Sequence, residues 1–190
     1  MLNGASSAGK SSIAKELQQL LPTFPLHTGI DHFVERIPLS FHETSDGTTE
    51  GVGITWVVAD GVLQELRFGP ACEVMAAGMY RAVAAYAAAG NDVIMDDVIF
   101  DTRIMASAIE AFRDADVLFV GVRCPLEVLV ERERERGDRV LGLAVFQHER
   151  VHAHGPYDLE VDTSARSPTG CAEEICAALS EAGRVSVLTR

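Results

Sequence analysis

The sequence predicts an α/β protein built on one five-stranded parallel sheet with helices on both faces. Three observations predict it. The stretch GASSAGKS, residues 4–11, fits G-x-x-x-x-G-K-[ST] and lies between a short apolar start and an amphipathic helical pattern. Short apolar runs then alternate with helical segments to the end of the chain, the pattern of parallel strands covered on both sides. No internal repeat, low-complexity linker or domain boundary interrupts the 190 residues, so the expectation is a single domain over 1–190.

Met1 to Asn3 is the first strand; its shortness is compatible with a stunted strand or with a start further upstream. After Lys10, Ile13, Leu17, Leu20 and Leu21 recur at helical spacing, and Pro22 closes the pattern. FPLHTG is a second short strand ending at Gly29. Asp31 is suited to start a helix over DHFVERI, which Pro38 stops. Residues 42–53 are polar and glycine-rich, so a mobile surface loop is expected. ITWVVADGVLQEL predicts a hairpin turning at Asp60-Gly61. Ala71 to Ala89 predicts a long helix ended by Gly90 and Asn91. DVIMDD, DVLFVGVRC and YDLEVDTS supply the last three strands. Between and after them come helices at ASAIEAFRD, at PLEVLVERERER with Pro125 suited to its first turn, near LGLAVFQHERVHAH, and at SPTGCAEEICAALSEAG, where Ser167 or Thr169 can cap.

Composition narrows the function. Sixteen basic residues against twenty-eight acidic ones give a net charge of −12, which disfavours binding to a nucleic-acid backbone. Any anion site must be built locally against that field. No run approaches the ~20 apolar residues of a membrane span, and no basic and apolar leader opens the sequence. Cys72, Cys124, Cys171 and Cys176 form no C-x-x-C pair, so they read as buried thiols in a reducing cytoplasm. His148 and His152 are four apart but lack the H-E-x-x-H context of a metal site. Oligomeric state is left open, a homo-oligomer included.

The phosphate loop comprises Gly4, Ala5, Ser6, Ser7, Ala8, Gly9, Lys10, Ser11 and Ser12. Its glycines let backbone amides turn toward nucleotide phosphates, Lys10 adds a point charge, and Ser11 offers a hydroxyl to Mg²⁺. These residues predict the P-loop nucleoside triphosphate hydrolase fold. VIMDD delivers Asp96 and Asp97 to a strand's carboxyl end, where either can serve the metal or the substrate; a helix cap at Asp97 is the plainer reading. In ERERERGDR, residues 131–139, the charges can form i,i+3 pairs: Glu131–Arg134, Arg132–Glu135 and Glu133–Arg136. Arg132, Arg136 and Arg139 also share a helical face, which becomes favourable when a polyphosphate lies across it. A lid over about residues 125–145 follows. Asp31, at the end of TGID, can orient an alcohol and accept its proton, or simply cap a helix.

LNGASSAGKSS, TGIDHFVERIP, VIMDDVIF, VLFVGVRCPLEVLVERERERGDR and VHAHGPYDLEVDTS occur in that order, and together they resemble the chloramphenicol phosphotransferase family of small P-loop kinases. The resemblance implies an ATP- and Mg²⁺-dependent transfer to a hydroxyl of an antibiotic or similar natural product. By that likeness Asp31 matches the catalytic base, Lys10 and Ser11 the phosphate and metal positions, and Arg132 and Arg136 the lid arginines. The stretch Asp162 to Ser164, with Thr163 at its centre, falls near the adenine ring. Residues 39–70 depart from the family pattern, so they carry over no particular acceptor. Phe33, Phe41, Trp56 and Phe68 are candidates to line an acceptor pocket. Between residues 24 and 70 the only cations besides histidine are Arg36 and Arg67, which favours a neutral or cationic acceptor over an acid or nucleotide. A metabolic kinase and a nucleotide-gated regulatory module are the competing readings.

Overall fold

The computed structural model describes residues 1–45, 51–138, 140–180 and 186. The main sheet joins β1 (Leu2–Asn3), β2 (Leu26–Gly29), β6 (Val93–Asp97), β7 (Val120–Arg123) and β8 (Leu159–Asp162), all parallel, in the order β2-β6-β1-β7-β8. Leu2 stands opposite both Asp96 and Val120, so β1 is the middle strand despite its two residues.

Alternation along the strands divides the core in two. On one face, Ile94, Val120 and Val122 meet α1 (Lys10–Leu20), α5 (Leu126–Arg136) and α7 (Pro168–Leu179) through Ile13, Leu17, Leu129 and Ile175. On the other, Met95 and Phe119 meet α3 (Pro70–Ala88) and α4 (Thr102–Phe112) through Met79, Tyr80, Ile104 and Phe112. This is why the sheet strands read as continuous apolar runs. Leu20, by contrast, is exposed at the end of α1 although the periodicity had included it.

A second, three-stranded sheet holds β3 (His42–Ser45), β4 (Ile54–Ala59) and β5 (Val62–Phe68). The β4–β5 hairpin turns at Asp60 and Gly61 with φ of 50° and 75°, the paired positive φ of a type I′ turn. Residues 42–45 form a strand parallel to β4, not the loop their composition predicted, because the ladder to β4 satisfies backbone groups that the polar side chains gave no reason to pair. Residues 46–50 of that expected loop lie outside the described residues. An apolar cluster under this sheet joins Ile54, Leu63 and Leu66 to Leu143 and Phe146 of α6 (Leu143–His148).

Two local expectations change and one open alternative is decided. Helix α2 (Ile30–Val34) starts at Ile30 after Gly29, so Asp31 lies in its first turn and is not its cap. Pro125 precedes the first turn of α5. Ser167, not Thr169, caps α7 by accepting from the Gly170 N–H at 3.1 Å. The thiols of Cys72, Cys124 and Cys171 are buried and that of Cys176 half-buried; all four are free.

Candidate active site

The loop after β1 emerges from the middle of the sheet's carboxyl edge, where parallel strands leave a crevice. A cleft of about 320 Å³ opens there. Among its lining residues are Ser6, Ser7, Gly9, Lys10, Ser11 and Ser12 of the loop, with Asp31, Asp96, Arg132, Arg136, Gln147 and Thr163. Three fixed cations face two carboxylates in a chain of net charge −12, so the cleft is a local reversal of the protein's field. A larger groove of about 1080 Å³ opens at the opposite, amino-terminal edge of the sheet. It is lined mainly by apolar side chains such as Leu17, Val83, Ile94 and Phe112, and its lining includes no lysine or arginine.

The loop is held in shape by its own backbone and by its neighbours. Gly4 donates to the Asp97 carbonyl at 3.3 Å and Ala8 to the Ala5 carbonyl at 3.2 Å. Ala5 and Ala8 are buried in the core. Gly4, Ala5 and Ala8 thus form the loop's underside and do not line the cleft, although the sequence had grouped them with the phosphate contacts. Ser7 adopts a positive φ of 64°. The Lys10 ammonium donates to the Gly4 and Ala5 carbonyls at 2.8 and 2.9 Å. The start of α1 adds first-turn amides that have no acceptor within the helix.

The two aspartates of β6 separate. Ser11 Oγ donates to Asp96 Oδ2 at 2.7 Å, and His27 Nε2 approaches the same oxygen at 3.4 Å. Burial would raise the Asp96 pKa, but the nearby His27 imidazole, the Ser11 hydrogen bond and the Lys10 charge outweigh it and hold the carboxyl below its ordinary value. Ser11 and Asp96 are a pair of oxygen ligands suited to a hard cation that keeps waters and phosphates for its remaining positions. Asp97 is 1% exposed, accepts from Tyr80 Oη at 2.6 Å and from its neighbour Val98 N–H at 2.7 Å, and does not line the cleft. The metal and substrate roles considered for Asp97 therefore have no geometric basis; it anchors α3 to β6.

Asp31 reaches the cleft because β2 ends beside β6 and α2 begins at once. The glycine at position 29 is required by that closeness. A Cβ there would run into the Asp96 carbonyl and side chain. Phe33 turns instead toward the cluster of Met79 and Tyr80 and is not among the cleft residues. Its assignment to the acceptor fails because the α2 face it occupies is the one packed on the core. Phe68 and Trp56 likewise pack under the second sheet, and Phe41 is exposed.

On the far side, Arg132 donates to Thr163 Oγ1 at 3.1 Å and to its carbonyl at 2.9 Å, while Thr163 Oγ1 donates to the Ala8 carbonyl at 2.9 Å. Arg136 pairs with Asp138 at 2.8 Å. Arg139, the third arginine of the expected face, lies outside the described residues. Glu133 is not on a solvated face: it is 2% exposed and accepts the Gly142 and Ala144 N–H groups at 2.9 and 2.7 Å, fastening α6 to α5. None of the three anticipated i,i+3 ion pairs occurs among the described residues.

Two cleft-side residues escaped sequence reasoning. His27 meets Asp96 only because β2 pairs with β6 across more than sixty residues of chain. Gln147 sits in a helix whose periodicity marks it as buried at most; its oxygen accepts the Ser6 N–H at 2.7 Å.

Known proteins and solved structures resemble this chain. The family model described as "Chloramphenicol phosphotransferase-like protein" matches residues 1–180. A Mycobacterium tuberculosis (strain H37Rv) protein named "Putative O-phosphotransferase" is 34% identical, with 92% of this chain and 79% of the relative covered. Among solved structures, the M. tuberculosis APS kinase in complex with AMPPNP and APS is similar with a TM-score of 0.65 at 16% identity, covering 95% of each chain. The Deinococcus radiodurans tunicamycin resistance protein has a TM-score of 0.62 at 18% identity, covering 94% of this chain and 93% of that one. Shikimate kinase from Acinetobacter baumannii has a TM-score of 0.58 at 14% identity, covering 94% and 90%. The structural likenesses show the P-loop kinase fold.

Proposed function

This chain belongs to the chloramphenicol phosphotransferase-like family, and on that premise we propose that it is an ATP-dependent O-phosphotransferase acting in the cytoplasm as one catalytic domain. Its acceptor is the hydroxyl of a small neutral or cationic molecule, an antibiotic or a similar natural product. The observation that carries the proposal is that Asp31 shares one cleft with the phosphate loop, Arg132 and Arg136.

In this reading the amides at the start of α1 and the Lys10 ammonium hold the triphosphate. Ser11 Oγ and the Asp96 carboxylate would hold Mg²⁺, which would supply positive charge to offset that of the triphosphate. Asp31 orients the acceptor hydroxyl and takes its proton while the hydroxyl oxygen bonds to the γ-phosphorus. The bond from that phosphorus to the β-phosphate oxygen breaks, leaving ADP and a phosphate monoester. Arg132 and Arg136 stabilise charge on the group in transit, and Thr163 carries Arg132 at the edge nearest the nucleotide. Residues 125–145 close as a lid, since α5 bears both arginines and Glu133 ties it to α6.

The test is to incubate the purified protein with ATP, Mg²⁺ and a panel of hydroxyl-bearing antibiotics, shikimate-like alcohols, sugar acids and nucleotides. The expected result is an antibiotic that gains the mass of one phosphoryl group, with ADP formed in equal amount. ADP release with every acceptor unmodified, as from a nucleotide-gated module, contradicts the proposal, and so does transfer confined to the acidic acceptors.

A further inference from the structure

Gln147 has no place in the mechanism above, yet it is bonded to the phosphate loop. It is 4% exposed, lines the cleft, and accepts the Ser6 N–H through Oε1 at 2.7 Å. A backbone N–H can only donate, so this bond fixes which end of the amide is oxygen and which is nitrogen. The NH₂ end has no acceptor among the described residues. A loop amide that could hold a phosphate oxygen directly is therefore exchanged for a side-chain donor.

The position says which phosphate that donor meets. The later loop amides and the start of α1 cradle the inner phosphates. Ser6 stands at the other end of the loop, which leaves the terminal phosphoryl on its side. Gln147 is also fixed in place. Its helix is fastened to α5 by Glu133, and Arg150 donates to the Phe146 carbonyl at 2.7 Å with its guanidinium over the Phe146 ring. Gln147 thus stands between the arginine-bearing helix and the loop, bonded to the loop and carried on a helix tied to α5.

We propose that Gln147 contacts the substrate: with its carbonyl on Ser6, its NH₂ donates to a γ-phosphoryl oxygen and distinguishes a nucleoside triphosphate from a diphosphate. This rests on the cleft being an ATP site. A neutral amide is needed there, because a carboxylate would keep the Ser6 bond while lacking the donor and repelling the phosphoryl group.

The experiment measures the affinity of wild type, Gln147→Glu and Gln147→Leu for β,γ-imido-ATP and for ADP, each with Mg²⁺, by calorimetry, with a thermal melt of each protein. The expected result is ADP affinity within about twofold of wild type in both variants. β,γ-imido-ATP affinity should fall about 10- to 100-fold, the size of one hydrogen bond to a charged group, and furthest in Gln147→Glu. Equal losses for the two nucleotides, or no loss for either, overturn the proposal. If Gln147→Leu melts early, Gln147→Glu decides alone, since its carboxylate still accepts from Ser6. Wild type binding both nucleotides beside unaffected variants removes only the role of Gln147; wild type binding neither removes the nucleotide site with it.

Discussion

Asp96 and Asp97 are chain neighbours that face opposite sides of β6, as successive strand residues must. Asp96 meets Ser11 at the cleft, while Asp97 is sealed against Tyr80. Burial lifts the Asp97 pKa to about 6, partly offset by hydrogen bonds from Tyr80 and Val98 and by the Lys10 charge, with Asp96 adding to the rise. Between the ordinary aspartate value of 3.8 and about 6 the folded protein binds the proton that the unfolded chain has released, so stability falls as pH rises through that window. The full effect is on the order of 3 kcal/mol. Asp97→Asn removes the ionisation and keeps an acceptor for Val98. Urea denaturation should therefore show the variant gaining on wild type as pH rises from 3.8 to about 6; an unchanged difference across that range contradicts the assignment. The sequence delivered both carboxylates to the right strand end. It could not say which one met the loop, because that depends on Leu2 pairing with Asp96, a contact between residues far apart in the chain.

At the scale of elements, α5 is where sequence reasoning was least complete. Its run of alternating charges gave the helix and the two cleft arginines, since spacing along a helix fixes which residues share a face. The same run hid Glu133, whose carboxylate is buried as the N-terminal acceptor of α6. Charge alternation looks identical whether a residue points to water or to a neighbouring helix end. Glu133→Ala leaves two buried N–H groups without an acceptor and should cost about 1–3 kcal/mol for each unsatisfied group. Chemical denaturation should show that loss. Glu131→Ala, on the exposed side of the same helix, should stay within about 0.5 kcal/mol of wild type. Equal effects of the two substitutions would place Glu133 in solvent. Strand β3 was missed for a related reason: HETS has little strand propensity, and its partner β4 supplies the ladder.

At the scale of the whole molecule, the order β2-β6-β1-β7-β8 sets the phosphate loop in mid-sheet and Asp31 at the end of the outer strand β2, with both facing the carboxyl edge. The parallel class was legible from the alternation of apolar runs and helices, and the carboxyl-edge residues followed from the strand ends. The strand order was not, because it is decided by packing between distant segments. The second sheet absorbs Trp56 and Phe68 into its own core, so the aromatic side chains expected to line an acceptor pocket serve that sheet instead. The account then rests on one carboxylate standing across from the triphosphate. Its most direct test is Asp31→Asn, assayed for phosphorylated acceptor and, separately, for β,γ-imido-ATP affinity. The account predicts turnover lower by about 10²- to 10⁴-fold with nucleotide affinity unchanged; turnover near that of wild type would contradict it.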